Sequence, residues 1–198
     1  MAWPSGASPE MGLRLLEGPD GDVVSLAEAK AHLRVDGSDE NALIEGLIAA
    51  ATSHLDGAPG VLGRCLLEQR WAVSWDEFDD VLNVPLAPVL SIDAVRYVDG
   101  DGVSRTLDDV AYSVLLDDGA RIHSDNWPAT ARRPGAVTVE FTAGYGDAAD
   151  VPQPIKQAIL LLVGHWYANR EAVNVGNMVT PLPMAVEALT LPYVYRAL

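Results

Sequence analysis

The chain has 198 residues, 49% of them hydrophobic, a composition that supports a sizeable core and excludes a wholly disordered protein. Against 28 Asp and Glu stand only 13 Lys and Arg, a formal net charge of −15, too few cations to neutralise phosphates across a broad nucleic-acid surface. A single cysteine, Cys65, excludes an intrachain disulfide and a thiolate metal cluster.

Residues 1–22 are rich in Gly, Pro and Ser, show no hydrophobic period and read as a flexible N-terminal arm. Residues 1–11 lack the basic region and apolar stretch of a signal peptide. A helix is predicted over 25–34. Ser25 stands three residues before Glu28, the spacing of a capping box, and Leu26, Ala29 and Leu33 face inward. After the break at Val35-Asp36-Gly37, a second helix is predicted over 39–56. Its stripe is Leu43, Ile44, Leu47, Ile48, Ala51 and Leu55, with Asp39 and Glu40 at the positive N-terminal end. Gly57, Pro59 and Gly60 stop it.

Over 66–143 the period becomes two. A strand from Gln69 carries Trp71, Val73 and Trp75 on one face. Residues 89–98 and 103–107 form a hairpin about Asp99-Gly100-Asp101-Gly102, and 112–116 and 120–122 form another about Asp117-Asp118-Gly119. Residues 136–142 read as the last strand. Hairpin connections predict a mainly antiparallel sheet. A third helix over 153–170 presents Ile155, Ile159, Leu162 and Trp166. Its uncharged apolar run, 158–163, is far short of the roughly 20 residues that span a bilayer, so no membrane partner is expected. The expected fold class is α+β: a small α-helical bundle with an inserted antiparallel sheet and an extended C-terminal tail over 172–198.

Residues that could carry chemistry are dispersed. His32, His54, His123 and His165 form no ligand pair at helical spacing, and no metal site, cofactor site or catalytic residue is expected. Gly144-Tyr145-Gly146-Asp147-Ala148-Ala149 meets a loose dinucleotide pattern. Asp147 and Asp150 nevertheless stand where phosphates would sit, and Pro152 and Pro154 delay the helix. The acidic pairs Asp79-Asp80, Asp108-Asp109 and Asp117-Asp118 read as solvated turns, and Trp71, Trp75, Trp127 and Trp166 as core. The enzymatic alternative is a small hydrolase using Asp76, Glu77 or His123 beside Trp71 or Trp75.

The tail is too apolar for a solvated terminus. Met178, Pro181, Leu182, Pro183, Leu189, Leu191, Tyr193 and Tyr195, with Arg196, either fold back on the domain or dock into a partner.

The order of these elements resembles the head–tail connector (head-completion adaptor) family of long-tailed phages and gene transfer agents. Three stretches carry the resemblance. The first is Val24-Ser25-Leu26-Ala27-Glu28-Ala29-Lys30-Ala31-His32-Leu33-Arg34 with Asp39-Glu40 and Leu43-Ile44. The second is Gln69-Arg70-Trp71 with Pro85-Leu86-Ala87-Pro88-Val89. The third is Phe141-Thr142-Ala143-Gly144-Tyr145-Gly146, then Val151-Pro152, Ile155-Lys156-Gln157-Ala158 and His165-Trp166-Tyr167-Ala168-Asn169-Arg170-Glu171. The resemblance implies an adaptor domain over 23–171 and a docking tail over 172–198. It also implies a ring of about twelve copies. Its expected partners are a portal protein, a stopper or tail-side neck protein, and other copies of the chain. DNA would pass through the ring without sequence-specific binding, helped by an acidic lumen. The protein would be cytoplasmic when made and then part of the particle neck. A stopper or tail terminator is the nearest alternative.

Overall fold

The computed structural model describes residues 12–169 and 184–195. The chain is α+β and divides into two compact units, one helical and one a sheet.

The helical unit takes residues 20–67 and, from 145 on, the rest of the described chain. It contains α1 (Leu26–Leu33), α2 (Asn41–Leu55), α3 (Gln153–Ala168) and α4 (Met184–Thr190), the last running into a single 3-10 turn, Leu191–Tyr193. The predicted capping box opens α1. Ser25 Oγ accepts from the Glu28 amide at 3.2 Å, and Glu28 Oε2 accepts from the Ser25 amide at 2.8 Å. Arg34 closes the helix in the left-handed region at φ 58°.

Helices α2 and α3 bury complementary stripes. Ile44, Ile48, Ala51 and Leu55 on one meet Ile155, Ala158, Ile159, Leu162 and Val163 on the other in one continuous core. The Tyr167 hydroxyl donates to the Glu40 carboxylate, so the end of α3 lies at the start of α2 and the pair runs antiparallel. Each fully buried Ile or Leu here contributes about 1.5–3 kcal/mol.

The sheet unit takes residues 12–19 and 68–144. Its strands are β1 (Gly12–Glu17), β2 (Gln69–Trp75), β3 (Val81–Asn83), β4 (Val89–Val98), β5 (Ser104–Thr106), β6 (Ser113–Leu116), β7 (Ala120–His123) and β8 (Val137–Ala143). They form a five-stranded sheet, β1-β2-β8-β4-β5, and a three-stranded sheet, β3-β7-β6, antiparallel throughout. The alternation that predicted β2 and β8 places Trp71 opposite Phe141, Val73 opposite Val139 and Trp75 opposite Val137, all buried. Phe78 and Trp127 stack with ring centroids 4.4 Å apart.

Three expectations need correction. Residues 12–17, read as part of an arm, form β1 against β2, with a register shift between Leu15 and Glu17. A bulge erases the period-two signal, and the partner strand lies more than fifty residues away in sequence. Residues 66–143 build two sheets, because β7 returns to pair with β3 as well as with its hairpin mate β6. The described part of the tail is helical: Met184, Ala185, Glu187, Ala188 and Leu189 are strong helix formers, and Val186 and Thr190 recur at i, i+4 on the buried side.

The hydrogen bonds from Ser25, side chain first and then backbone, hold the Glu28 carboxyl below its ordinary 4.5. A carboxylate so depressed stabilises the fold above its unfolded pKa and loses that contribution as pH falls through the folded one. Acidification below pH 4.5 is therefore expected to fray the first turn of α1, seen as a lower protection factor at the Glu28 amide. Ser25→Ala, which keeps the residue-25 amide but removes the hydroxyl, should reduce this pH dependence at a cost of about 1 kcal/mol. In the core, Ile159→Ala should cost about 2–5 kcal/mol, read from urea unfolding of the helical unit.

Candidate docking site

The C-terminal segment is held to the helical unit by a clamp built from residues 56–66. Asp56 folds the loop: its Oδ1 accepts from the Leu66 amide at 2.6 Å, and the Gly57 amide donates to the Arg64 carbonyl at 2.6 Å. Gly60 is required here, since a Cβ would stand 2.4 Å from the Asp56 carbonyl oxygen. Gly63, at φ 62°, lets the segment approach so closely that a Cβ would meet the Tyr195 carbonyl oxygen at 3.1 Å. The buried Arg64 then holds the segment itself. Its Nε donates to the Tyr193 carbonyl, and its guanidinium carbon stands 5.8 Å from the centre of the Tyr195 ring. The Tyr195 amide donates to the Leu62 carbonyl at 2.8 Å.

Upstream, α4 buries Val186 and Thr190, and the Thr190 hydroxyl bonds back to the Val186 carbonyl at 2.8 Å. Leu189, Tyr193 and Val194 pack against the helical core. Of the expected docking residues, Leu189, Tyr193 and Tyr195 are thus drawn onto the chain's own bundle, while Leu191 is turned outward at 61% exposure. Met178, Pro181, Leu182, Pro183 and Arg196 lie outside the described residues. Met184, the end of the apolar stretch 178–184, is 85% exposed at the start of α4.

The candidate enzymatic residues are each taken up separately. Asp76 Oδ1 accepts from the Gly135 amide at 2.9 Å, Glu77 is exposed, and Trp71 and Trp75 are buried in the sheet core. His123 sits with Nδ1 2.9 Å from the Asp80 carbonyl and Nε2 3.2 Å from Asp125 Oδ1. Those two contacts, in that order, raise its pKa above 6.5. Cys65 is buried.

The acidic turns serve as turns. Asp99 takes the Arg105 guanidinium and the amides of Val103 and Asp101, at 2.9 and 3.0 Å, and its pKa falls accordingly. Asp117 takes Arg121 at 3.1 Å and the Gly119 amide at 3.2 Å. In the Gly144-Tyr145-Gly146 loop, Asp150 Oδ2 accepts from the Asp147 amide at 3.2 Å. Among the described residues, no group of three His, Cys, Asp or Glu side chains is placed to hold a metal ion, and no helix is long and apolar enough to cross a membrane.

What this arrangement offers is an anchored segment with Met184 and Leu191 turned outward. Residues 23–87 match the family described as phage gp6-like head-tail connector protein, from just before α1 into the stretch leading to β4. A structure of the neck of an empty gene transfer agent particle, computed with C6 symmetry, is 25% identical with a TM-score of 0.75, covering 94% of this chain and 97% of that one. Over residues 23–87 the chain is similar to the phage-type head–tail connector family, and nearly its whole length shares the fold of a gene transfer agent neck chain.

Two further structures share the connector fold over 94% of this chain and 97% of theirs. The virion of a native gene transfer agent particle is 24% identical with a TM-score of 0.73. The neck of a native particle, computed with C12 symmetry, is 23% identical with a TM-score of 0.68. No curated protein matches the chain. The three stretches on which the resemblance rested fall at α1–α2, at β2 with the approach to β4, and from β8 into α3 of the connector fold.

Removing the clamp's cation tests how the C-terminal segment is held. Arg64→Ala should weaken its attachment by about 1.5–3 kcal/mol, the scale of a hydrogen bond to a charged group. Hydrogen exchange would show this as lost protection of the Tyr195 amide, with the α2 amides unchanged.

Proposed function

We propose that the chain is a structural, non-enzymatic adaptor subunit of a particle neck. Copies form a ring between the portal protein and the stopper or tail-side protein, and DNA passes through that ring. The observation that carries this reading is similarity along nearly the whole length of both chains to a chain from the neck of a gene transfer agent particle, at 25% identity. A ring is supported by the sixfold and twelvefold symmetry with which two of the similar necks were computed. About twelve copies suits a head-to-tail interface that closes on itself.

The charge of the chain suits a channel. A net charge of −15 makes contact with DNA repulsive, so a carboxylate-rich lumen lets the duplex slide without adhering. The subunit would be made in the cytoplasm and then become part of the neck. The clamp fixes the segment after Met184 on the subunit's own bundle, so docking to the portal falls to the apolar residues Met178, Pro181, Leu182 and Pro183, together with the exposed Met184 and Leu191.

Electron microscopy of intact particles, with this chain located in the map, tests the reading directly. Density for the chain in a ring below the portal is the expected result. Its absence from the neck, or its placement at a stopper or tail-terminator position, would overturn the assignment. In the full-length chain, Met178→Asp with Leu182→Asp should leave thermal unfolding unchanged and lower incorporation into particles by about tenfold or more.

A further inference from the structure

The sheet unit ends in two edges that leave core-side apolar groups uncovered. In the smaller sheet, β6 pairs only with β7 among the described residues. Val114 lies opposite Ile122 and Leu116 opposite Ala120, so these side chains share a face with buried residues. They nevertheless keep 37% and 46% of their surface open, and Leu115 on the other face keeps 53%. The strand carries no charge, no Pro and no bulge, the devices by which edges are protected from pairing.

In the larger sheet, β1 pairs only with β2 among the described residues, and Leu15 stands in the same row as the buried Trp71 and Phe141. It too stays 45% exposed. At both edges the core stops one strand short of being covered.

We propose that β6 of one copy adds to β1 of the next, so that strand pairing across the sheet edges joins the subunits into a ring. This rests on the ring-forming adaptor reading above. Strand addition gives main-chain hydrogen bonds along the edge and covers Val114, Leu116 and Leu15 together.

The charges select this pair of edges. Asp108-Asp109 precedes β6 and Asp117-Asp118 follows it. Pairing β6 with itself would set these carboxylates against their own copies and would close a dimer instead of a ring. Asp79-Asp80 leads directly into β3, which would meet them with like charge. β5 offers three exposed residues, none of them apolar. β1 offers an exposed leucine beside the exposed Arg14, a cation facing the acidic ends of β6, and its bulge lies after Leu15, so Gly12–Leu15 keep a regular register. Two different edges also satisfy the geometric demand of a cyclic, head-to-tail interface.

Crosslinking in assembled particles tests the contact. The full-length chain carrying both Leu15→Cys and Leu116→Cys, two positions on the same face of the proposed joint sheet, with the buried Cys65 left in place, is incorporated and treated with a short bismaleimide. The expected result on a denaturing gel is a ladder of covalent multiples of the chain. Unlinked chain in particles that contain it, or a conjugate with a different neck protein, overturns the β6–β1 contact while leaving the adaptor reading intact. Absence of the chain from the neck overturns both. As an independent variant, Leu116→Lys, on the face the contact would cover, should keep the thermal unfolding of the wild-type chain while its incorporation falls about tenfold or more. Normal incorporation of this variant would count against the contact.

Discussion

The structure depends on the meeting of two apolar stripes that are far apart in sequence. Ile44, Ile48, Ala51 and Leu55 on α2 find Ile155, Ala158, Ile159 and Leu162 on α3 only after the chain has passed through residues 68–144. Closing so long a loop costs little more entropy than closing a modest one, because the cost grows only with the logarithm of length. The inserted segment reduces it further by having a core of its own. Once α2 and α3 are paired, the clamp at 56–66 is in place to receive Tyr193 and Tyr195, and α4 has a surface on which to bury Val186. The helical unit is therefore assembled from non-local contacts, and its last helix packs against α3.

Acidity, the most obvious property of the composition, works locally before it works globally. Asp56, Asp76, Asp99, Asp117 and Asp150 each accept backbone amides and so shape a loop or turn. Asp99 and Asp117 also take arginines that would otherwise offset the negative charge elsewhere. The chain thus forms its turns from residues that leave its surface anionic, which suits the proposed channel role. No separate cluster has to be built for the purpose.

Adaptor function asks for well-placed surfaces rather than a reactive centre. The anchored end of α4, with Met184 and Leu191 outward, and the open edges β1 and β6 are such surfaces. They differ in kind. The first presents loose apolar side chains suited to a groove on another protein, whereas the edges present backbone hydrogen-bonding groups suited to a copy of the same sheet. In the proposed adaptor role, one subunit would in this way contact unlike partners along the particle axis and like partners around it.

Much was legible from the sequence alone. The capping box at Ser25 and Glu28, the stripes of α2 and α3, the strand 89–98 and the alternation of β2 and β8 are local patterns, and local patterns report the face a residue shows to its own element. The resemblance to the connector family, too, lay in the order of those patterns, since spacing along the chain is preserved in the sequence. What the sequence could not determine were the partners of those faces. The strand β1 becomes one only through residues 70–74, and a bulge hides its period. The tail's leucines and tyrosines read equally well as docking or as folding back, until the Arg64 clamp and Gly63 showed where Tyr193 and Tyr195 belong. Apolarity along a chain says that a side chain must leave water; only the tertiary structure decides whether its own chain supplies the cover or another must.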